Sequence, residues 1–179
     1  MNKPETIWTI GHSTRRIEEF VELLTANGVR QVIDVRTVPR SRHNPQYNMD
    51  EMPASLAAYG IRYLHFGGLG GLRHSRKDSI NTGWRNTSFR GYADYMQTDE
   101  FAAALDEMMA VAAKIPSTLM CAEAVPWRCH RSMIGDALVV RGVEVLDIVS
   151  KAPPQPHRLT KFASVDGVVI TYPSVPDEE

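Results

Sequence analysis

The chain has 179 residues, is 43% apolar and carries a formal net charge of −1. That length suits one domain with a core of its own. Near-neutrality removes any global case for a polyanionic partner, two cysteines make no disulfide framework, and no apolar run approaches the ~18 residues of a membrane span. The opening stretch MNKPETIWTI holds no apolar signal region, so the expectation is a cytoplasmic protein with reduced thiols and no membrane partner.

TIWTI (6–10) reads as a short buried strand. Ile17, Phe20, Val21 and Leu24 then fall on one face of a helix, which Asn27-Gly28 ends. RQVIDV (30–35) is a second strand, followed by the polar, proline-bearing loop RTVPRSRHNPQYN. MDEMPASLAAYG (49–60) predicts a helix with Asp50 as cap and Gly60 as stop. IRYLHF (61–66) is a third strand. A Gly- and Arg-rich stretch of weak periodicity then runs from Gly67 to Arg90, long enough to suggest a lid or a binding loop. Residues 91–114 predict one broken helix or two successive ones, with Phe101, Leu105, Met108, Met109 and Ala112 on the buried side. STLMCAE (117–123) is strand four, 127–142 a helix closed by Gly142, and VEVLDIV (143–149) strand five. APPQP reads as a stiff connector, 165–173 as a final strand or edge hairpin, and the terminal DEE as a frayed tail. Strand and helix alternate with connections too long for hairpins. The expected fold is therefore a single α/β domain over 1–179, with a mainly parallel sheet of about five strands and helices on both faces.

In such sheets ligands bind at the carboxyl ends of the strands, and the chemistry-bearing residues gather there. His12 and Ser13 follow strand one; Asp34 and Arg36, then Ser41, follow strand two; Gly68 and Gly70 follow strand three; Cys121 and Glu123 end strand four, with Cys129, His130 and Arg131 at the next helix start. Loops at the other edge, such as ANGVR and VRGVE, are bland. Each residue also has a plainer reading. His12 and Ser13 could cap a helix. Asp34 could pair with Arg36 or Arg131 rather than act on a substrate. The GGLGG run is not a dinucleotide fingerprint, and its glycines would let backbone approach a ligand or hinge a lid.

LMCAEAVPWRCHR (119–131) admits several chemistries. Zinc wants paired ligands at closer spacing than Cys121 and Cys129 offer, so no metal is assigned. A phosphatase-type cradle needs its arginine one residue nearer the cysteine than Arg128 stands to Cys121. A cysteine paired with a histidine could be a thiolate nucleophile. An anion cradle is the most economical reading: a helix start offers N–H groups, Arg131 forks onto phosphate or carboxylate, and Trp127 stacks. Glu123 would then be an acid/base or the group that aims Arg131. In the long loop, Arg73, Arg76, Lys77, Arg85 and Arg90 interleave with Trp84, Phe89 and Tyr92, a combination suited to nucleotides or single strands.

The motifs TIGHST, IDVRTVPRSRHNPQYN, YLHFGGLGGLR, LMCAEAVPWRCHR and HRLTKFASVDGVVITYP together resemble the bacterial family called domain of unknown function 488, over about residues 6–173. The resemblance implies a compact α/β domain, supplies no reaction, and falls on His12, Ser13, Asp34, Arg36, Pro39, Ser41, Gly68, Leu69, Gly70, Cys121, Glu123, Cys129, His130 and Arg131. It also implies a histidine near Asp147, which VLDIVS lacks. The leading expectation is an enzyme acting on a phosphate-bearing or other anionic small molecule or nucleotide. Arg36 and Arg131 hold the anion, Asp34 and Glu123 handle protons, His12 or His130 titrates near neutrality, and Cys121 and Cys129 line the site. Two alternatives are a nucleic-acid-binding module built on the basic loop and a thiol- or metal-based sensor. The residues name no cofactor.

Overall fold

The computed structural model describes residues 2–175. Five strands run parallel: β1 (Thr6–Gly11), β2 (Gln31–Asp34), β3 (Arg62–His65), β4 (Ser117–Cys121) and β5 (Glu144–Ile148). Their order is β3-β2-β4-β1-β5. A sixth strand, β6 (Gln155–Pro156), pairs antiparallel with β5. It lies within the APPQP stretch, read from sequence as a connector; proline is tolerated there because the strand is an edge.

Helices α1 (Ile17–Ala26) and α2 (Met52–Ala57) cover one face, and α3 (Thr87–Met96), α4 (Asp99–Ala112) and α5 (Arg131–Val139) the other. Strand alternation separates the two cores. Val32, Met120 and Ile148 pack with Phe20, Leu24 and Leu56, while Ile33, Leu119 and Val145 pack with Leu105, Met108 and Ile134. This is the period-two division expected of strands buried on both sides. Among the described residues no helix is long and apolar enough to cross a membrane.

Two elements take one of the forms the sequence left open, and one departs from expectation. The 91–114 segment is two helices, divided where the Thr98 hydroxyl accepts from Phe101 N at 3.3 Å. The first begins at Thr87, because Asn86 caps the amides of Ser88 and Phe89; Thr-Ser-Phe-Arg has no periodicity to announce it. The 127–142 helix is instead a 3-10 turn at Pro126–Arg128, an extended Cys129 and then α5. The region 165–173 is a hairpin, β7 (Ser164–Asp166) and β8 (Val169–Thr171), forming its own two-stranded sheet. The DEE tail lies outside the described residues.

The long stretch after β3 is pinned. Asp94 in α3 accepts from Arg76 N, Ser79 Oγ and Asn81 Nδ2 at 2.5–2.7 Å, and Asn81 Oδ1 accepts from Tyr172 N at 2.9 Å. A buried carboxylate collects donors because each unmet lone pair is costly.

The chain beyond β6 is held by a charged network. His157 Nε2 donates to Asp136 of α5 at 2.9 Å, and Nδ1 donates to Asp147 of β5 at 3.1 Å. Thr160 and Tyr172 hydroxyls donate to Asp136 at 2.8 Å each, and Thr9 donates to Asp147. A histidine therefore does stand on Asp147, supplied from ten residues downstream. Burial alone would lower the His157 pKa, but hydrogen bonds to the two carboxylates outweigh it and raise the group to about 9. A folded pKa above the unfolded ~6.5 gives stability that is complete below ~6.5 and lost as pH rises through about 9. His157→Gln is expected to destabilise the fold by roughly 3–5 kcal/mol on the acid side of neutrality. Chemical denaturation across pH should show that penalty shrinking as the wild-type imidazolium deprotonates; a pH-independent penalty would contradict the charged network.

Candidate functional site

β1 and β4 are neighbours, yet β1 leads to α1 on one face and β4 to α5 on the other. Adjacent strands that part in this way leave a crevice at their carboxyl ends. Here the chain draws the crevice tight. His12 N donates to Cys121 O at 2.8 Å, and Ser13 N donates to Ala122 O at 2.9 Å. A Cβ on Gly11 would lie 1.5 Å from Glu123 O, so only glycine permits the approach. Ser13 sits at φ 50, a left-handed conformation uncommon for serine. It does not cap α1, whose N-cap is Arg16.

On the α1–α2 face, Arg36 is 6% exposed and forks onto Asp34, with Nε 2.9 Å from Oδ1 and Nη2 2.7 Å from Oδ2. Its Nη2 also donates to Tyr47 O at 2.6 Å. Tyr63 OH donates to Asp34 Oδ2 at 2.5 Å. His12 stacks on Tyr47 with ring centroids 4.2 Å apart. Because arginine has no acceptor, His12 Nε2 must accept from Arg36 Nη1 at 3.3 Å, and Nδ1 donates to Ser13 O at 2.7 Å. This fixes the neutral tautomer. Burial takes the His12 pKa down to about 4.

On the α5 face, Arg131 is fully buried. Its Nη1 lies 3.1 Å from Cys121 Sγ and 3.0 Å from Glu123 O; Nη2 donates to Ala124 O at 3.4 Å. Its Nε is buried with no acceptor among the described residues. No carboxylate among them pairs with it either. Cys129 Sγ accepts from Arg131 N at 3.5 Å and lies 3.5 Å from His130 Nδ1. His130 Nε2 donates to Val35 O at 3.0 Å, which puts the proton of the neutral ring on that nitrogen. Burial pushes the Cys121 thiol up, but the hydrogen bond from Cys129, the Arg131 charge and hydrogen bonds to the Glu123 backbone and Arg131 bring it down to about 7. The bond to Cys121, together with burial, pushes Cys129 well up. Burial takes His130 down to about 4.

The residues predicted to form one site thus share one edge of the sheet but form two clusters on opposite faces. Asp34, Arg36 and His12 are joined on one, Cys121, Cys129, His130 and Arg131 on the other. Asp34 makes the salt bridge with Arg36. The expectation that Arg36 and Arg131 reach out to hold an anion is corrected, since both are buried and committed to internal partners. The helix-start cradle is likewise closed: Arg131 N meets Cys129 Sγ, and Ser132 N and Met133 N bond back to Cys129 O and His130 O. Neither His12 nor His130 titrates near neutrality, because burial disfavours the cation. Glu123 aims Arg131 through its carbonyl; its carboxylate is exposed. Ser41 shapes a turn, accepting from Asn44 N at 3.0 Å, and its amide donates to Asn48. Gly68 and Gly70 do allow close approach, but to protein: a Cβ on each would lie 3.1 Å from Ala104 Cβ and 2.5 Å from Thr37 Oγ1. The loop aromatics face inward. Trp84 packs on Phe89, Phe162 and Tyr172, and Tyr92 is 1% exposed. Arg73 lies over the Tyr95 ring at 3.7 Å, and Arg76 pairs with Asp78. Among the described residues no three His, Cys, Asp or Glu side chains group to hold a metal ion.

Sequence reasoning missed Tyr47, Tyr63, Asp136 and His157. For Asp136 a signal existed: a carboxylate inside the apolar helical run MIGDALVV demands a buried partner. The chain matches the family described as Domain of unknown function DUF488 over residues 16–138, more than half its length, and belongs to it. The match is narrower than the span read from motifs, and His12, Ser13, Asp147 and His157 lie outside it. No curated protein and no solved structure matches the chain.

Two outcomes test this geometry. Asp34→Asn strands the Arg36 charge and is expected to cost roughly 3–5 kcal/mol in denaturant unfolding; a loss below ~1 kcal/mol would mean the pair is solvated. Ultraviolet thiolate absorbance should rise with a midpoint near pH 7 in the wild type. That step should vanish in Cys121→Ser and move to ~8.5 or above in Arg131→Met. A wild-type midpoint already at the ordinary thiol value would refute the pairing.

Proposed function

We propose that the chain is an enzyme with a thiolate at its centre, the Cys121 sulfur, acting on an anionic small molecule. One observation supports this above the rest: Arg131 is wholly buried and, among the described residues, no carboxylate pairs with it while Cys121 Sγ lies 3.1 Å from its Nη1. A guanidinium does not deprotonate, and a buried charge without a partner is expensive. Charge balance therefore favours the thiolate, the nucleophilic form of cysteine. Cys129, which keeps its proton, lies against the same arginine, its Sγ 3.5 Å from Arg131 N, and can donate where Cys121 cannot. Exposed Arg40, Arg42 and Arg128 leave the same edge with cations outside the core, which draw anions toward it. Arg36 takes no part in binding here; with Asp34 and His12 it braces the β1 and β2 ends.

Iodoacetamide labelling of the native protein at neutral pH, followed by peptide mass mapping, tests the reading. Cys121 should be alkylated faster than Cys129, and phosphate-bearing compounds should slow it. If Cys121 reacts only at the rate of global unfolding, the nucleophile reading fails.

A dithiol redox role is the second reading, favoured by two free thiols set against one arginine, Cys121 Sγ 3.1 Å from Arg131 Nη1 and Cys129 Sγ 3.5 Å from Arg131 N. Peroxide treatment would then convert both cysteines to one intramolecular disulfide without loss of fold, whereas a nucleophile reading expects oxidation of Cys121 alone.

A further inference from the structure

We propose that the groove between the start of α5 and residues 155–162 binds a nucleotide-type ligand, an aromatic base bearing a phosphate. The groove holds about 850 Å³, inside the ~300–1,000 Å³ range of small-molecule clefts. Trp127 lines it and is 64% exposed. Leaving an indole in water forgoes a large burial gain, which a stacked ring recovers. Trp84 and Phe162 form another part of the wall, edge to face at 4.8 Å. The Trp84 indole N–H is buried and meets no acceptor among the described residues.

Charge selects the class of ligand. Asp147 and His157 also line the groove, but each is committed within the Asp136–His157–Asp147 network. Arg158 and Lys161 line it too, are exposed, and form no ion pair among the described residues. The uncommitted charges are therefore both positive, beside an exposed aromatic face. Phosphate on the cations and a base on Trp127 satisfy both features at once, the combination by which proteins hold nucleotides and single strands. Ser132 and Gln155 add groups that can meet a base edge. The groove borders the β4–α5 segment through Trp127, but nothing here depends on Cys121.

Isothermal titration with AMP, adenosine and ribose 5-phosphate tests the proposal. AMP should bind more tightly than either fragment. Trp127→Ala, at an exposed position that leaves the core intact, should weaken AMP roughly tenfold or more. Arg158→Ala with Lys161→Ala should weaken AMP while leaving adenosine unchanged, and Cys121→Ser should bind AMP as the wild type does. A short oligodeoxyadenylate bound more tightly than AMP would identify the source as a single strand; AMP bound as well or better would identify a free nucleotide. Ribose 5-phosphate binding as well as AMP, an unaffected Trp127→Ala, or no binding of AMP and the oligonucleotide would each overturn it.

Discussion

A guanidinium keeps its proton wherever it is placed, so burying one obliges the protein to bring an anion or a cage of carbonyls to it. Arg131 receives both: the Cys121 sulfur, and the carbonyls of Glu123 and Ala124. Much of the surrounding geometry follows. To turn its carbonyls inward, the segment after β4 must run close over the end of β1, where Gly11 makes room. To bring Arg131 onto Cys121, the helix after the loop starts at Arg131 rather than at Trp127, and Cys129 is extended between a 3-10 turn and α5. That break places the second sulfur beside the first.

The same rule governs the other buried cations. Arg36 has Asp34, and His157 has Asp136 and Asp147. Two of the three are cation–carboxylate arrangements, suited to bracing: one ties the ends of β1 and β2 to Tyr47 and Tyr63, the other ties the chain beyond β6 to α5 and β5. The third uses a sulfur, which can form a bond. This difference in the anion is the chemical reason for centring the proposed reaction on Cys121 rather than on Asp34 or the histidines. His12 and His130, held neutral by burial, contribute hydrogen-bond geometry in a region where a titrating group would disturb the balance.

The network around His157 and the groove beside it are two consequences of one strap. Residues 155–162 lie against α5 at Gly135 and Asp136 because the imidazolium is held between carboxylates of α5 and β5. The same placement carries Arg158, Lys161 and Phe162 to face Trp127. The cations are outside the network while the histidine is within it, so the strap has an anchored side and an available side.

Much of this was legible in the residues themselves. Strand periodicity and glycine stops locate all five parallel strands, and Gly28, Gly60 and Gly142 do adopt positive φ at helix ends. The sorting of His12, Asp34, Arg36, Cys121 and Arg131 to one edge is also visible, because each follows the carboxyl end of a strand in the chain itself. Which face each side chain takes is not, since a one-residue difference in strand boundary reverses it. Ile33 lies on the α5 face, so Asp34 takes the α1–α2 face, while Met120 lies on the α1–α2 face, so Cys121 takes the α5 face. Local order along the chain therefore determined the class of fold, the edge of the site and its residue types. Only tertiary packing decided that Arg131 and Arg36 are spent inside, that His157 returns to Asp147, and that Trp127 stays in water, because burial and charge pairing are settled between segments far apart in sequence.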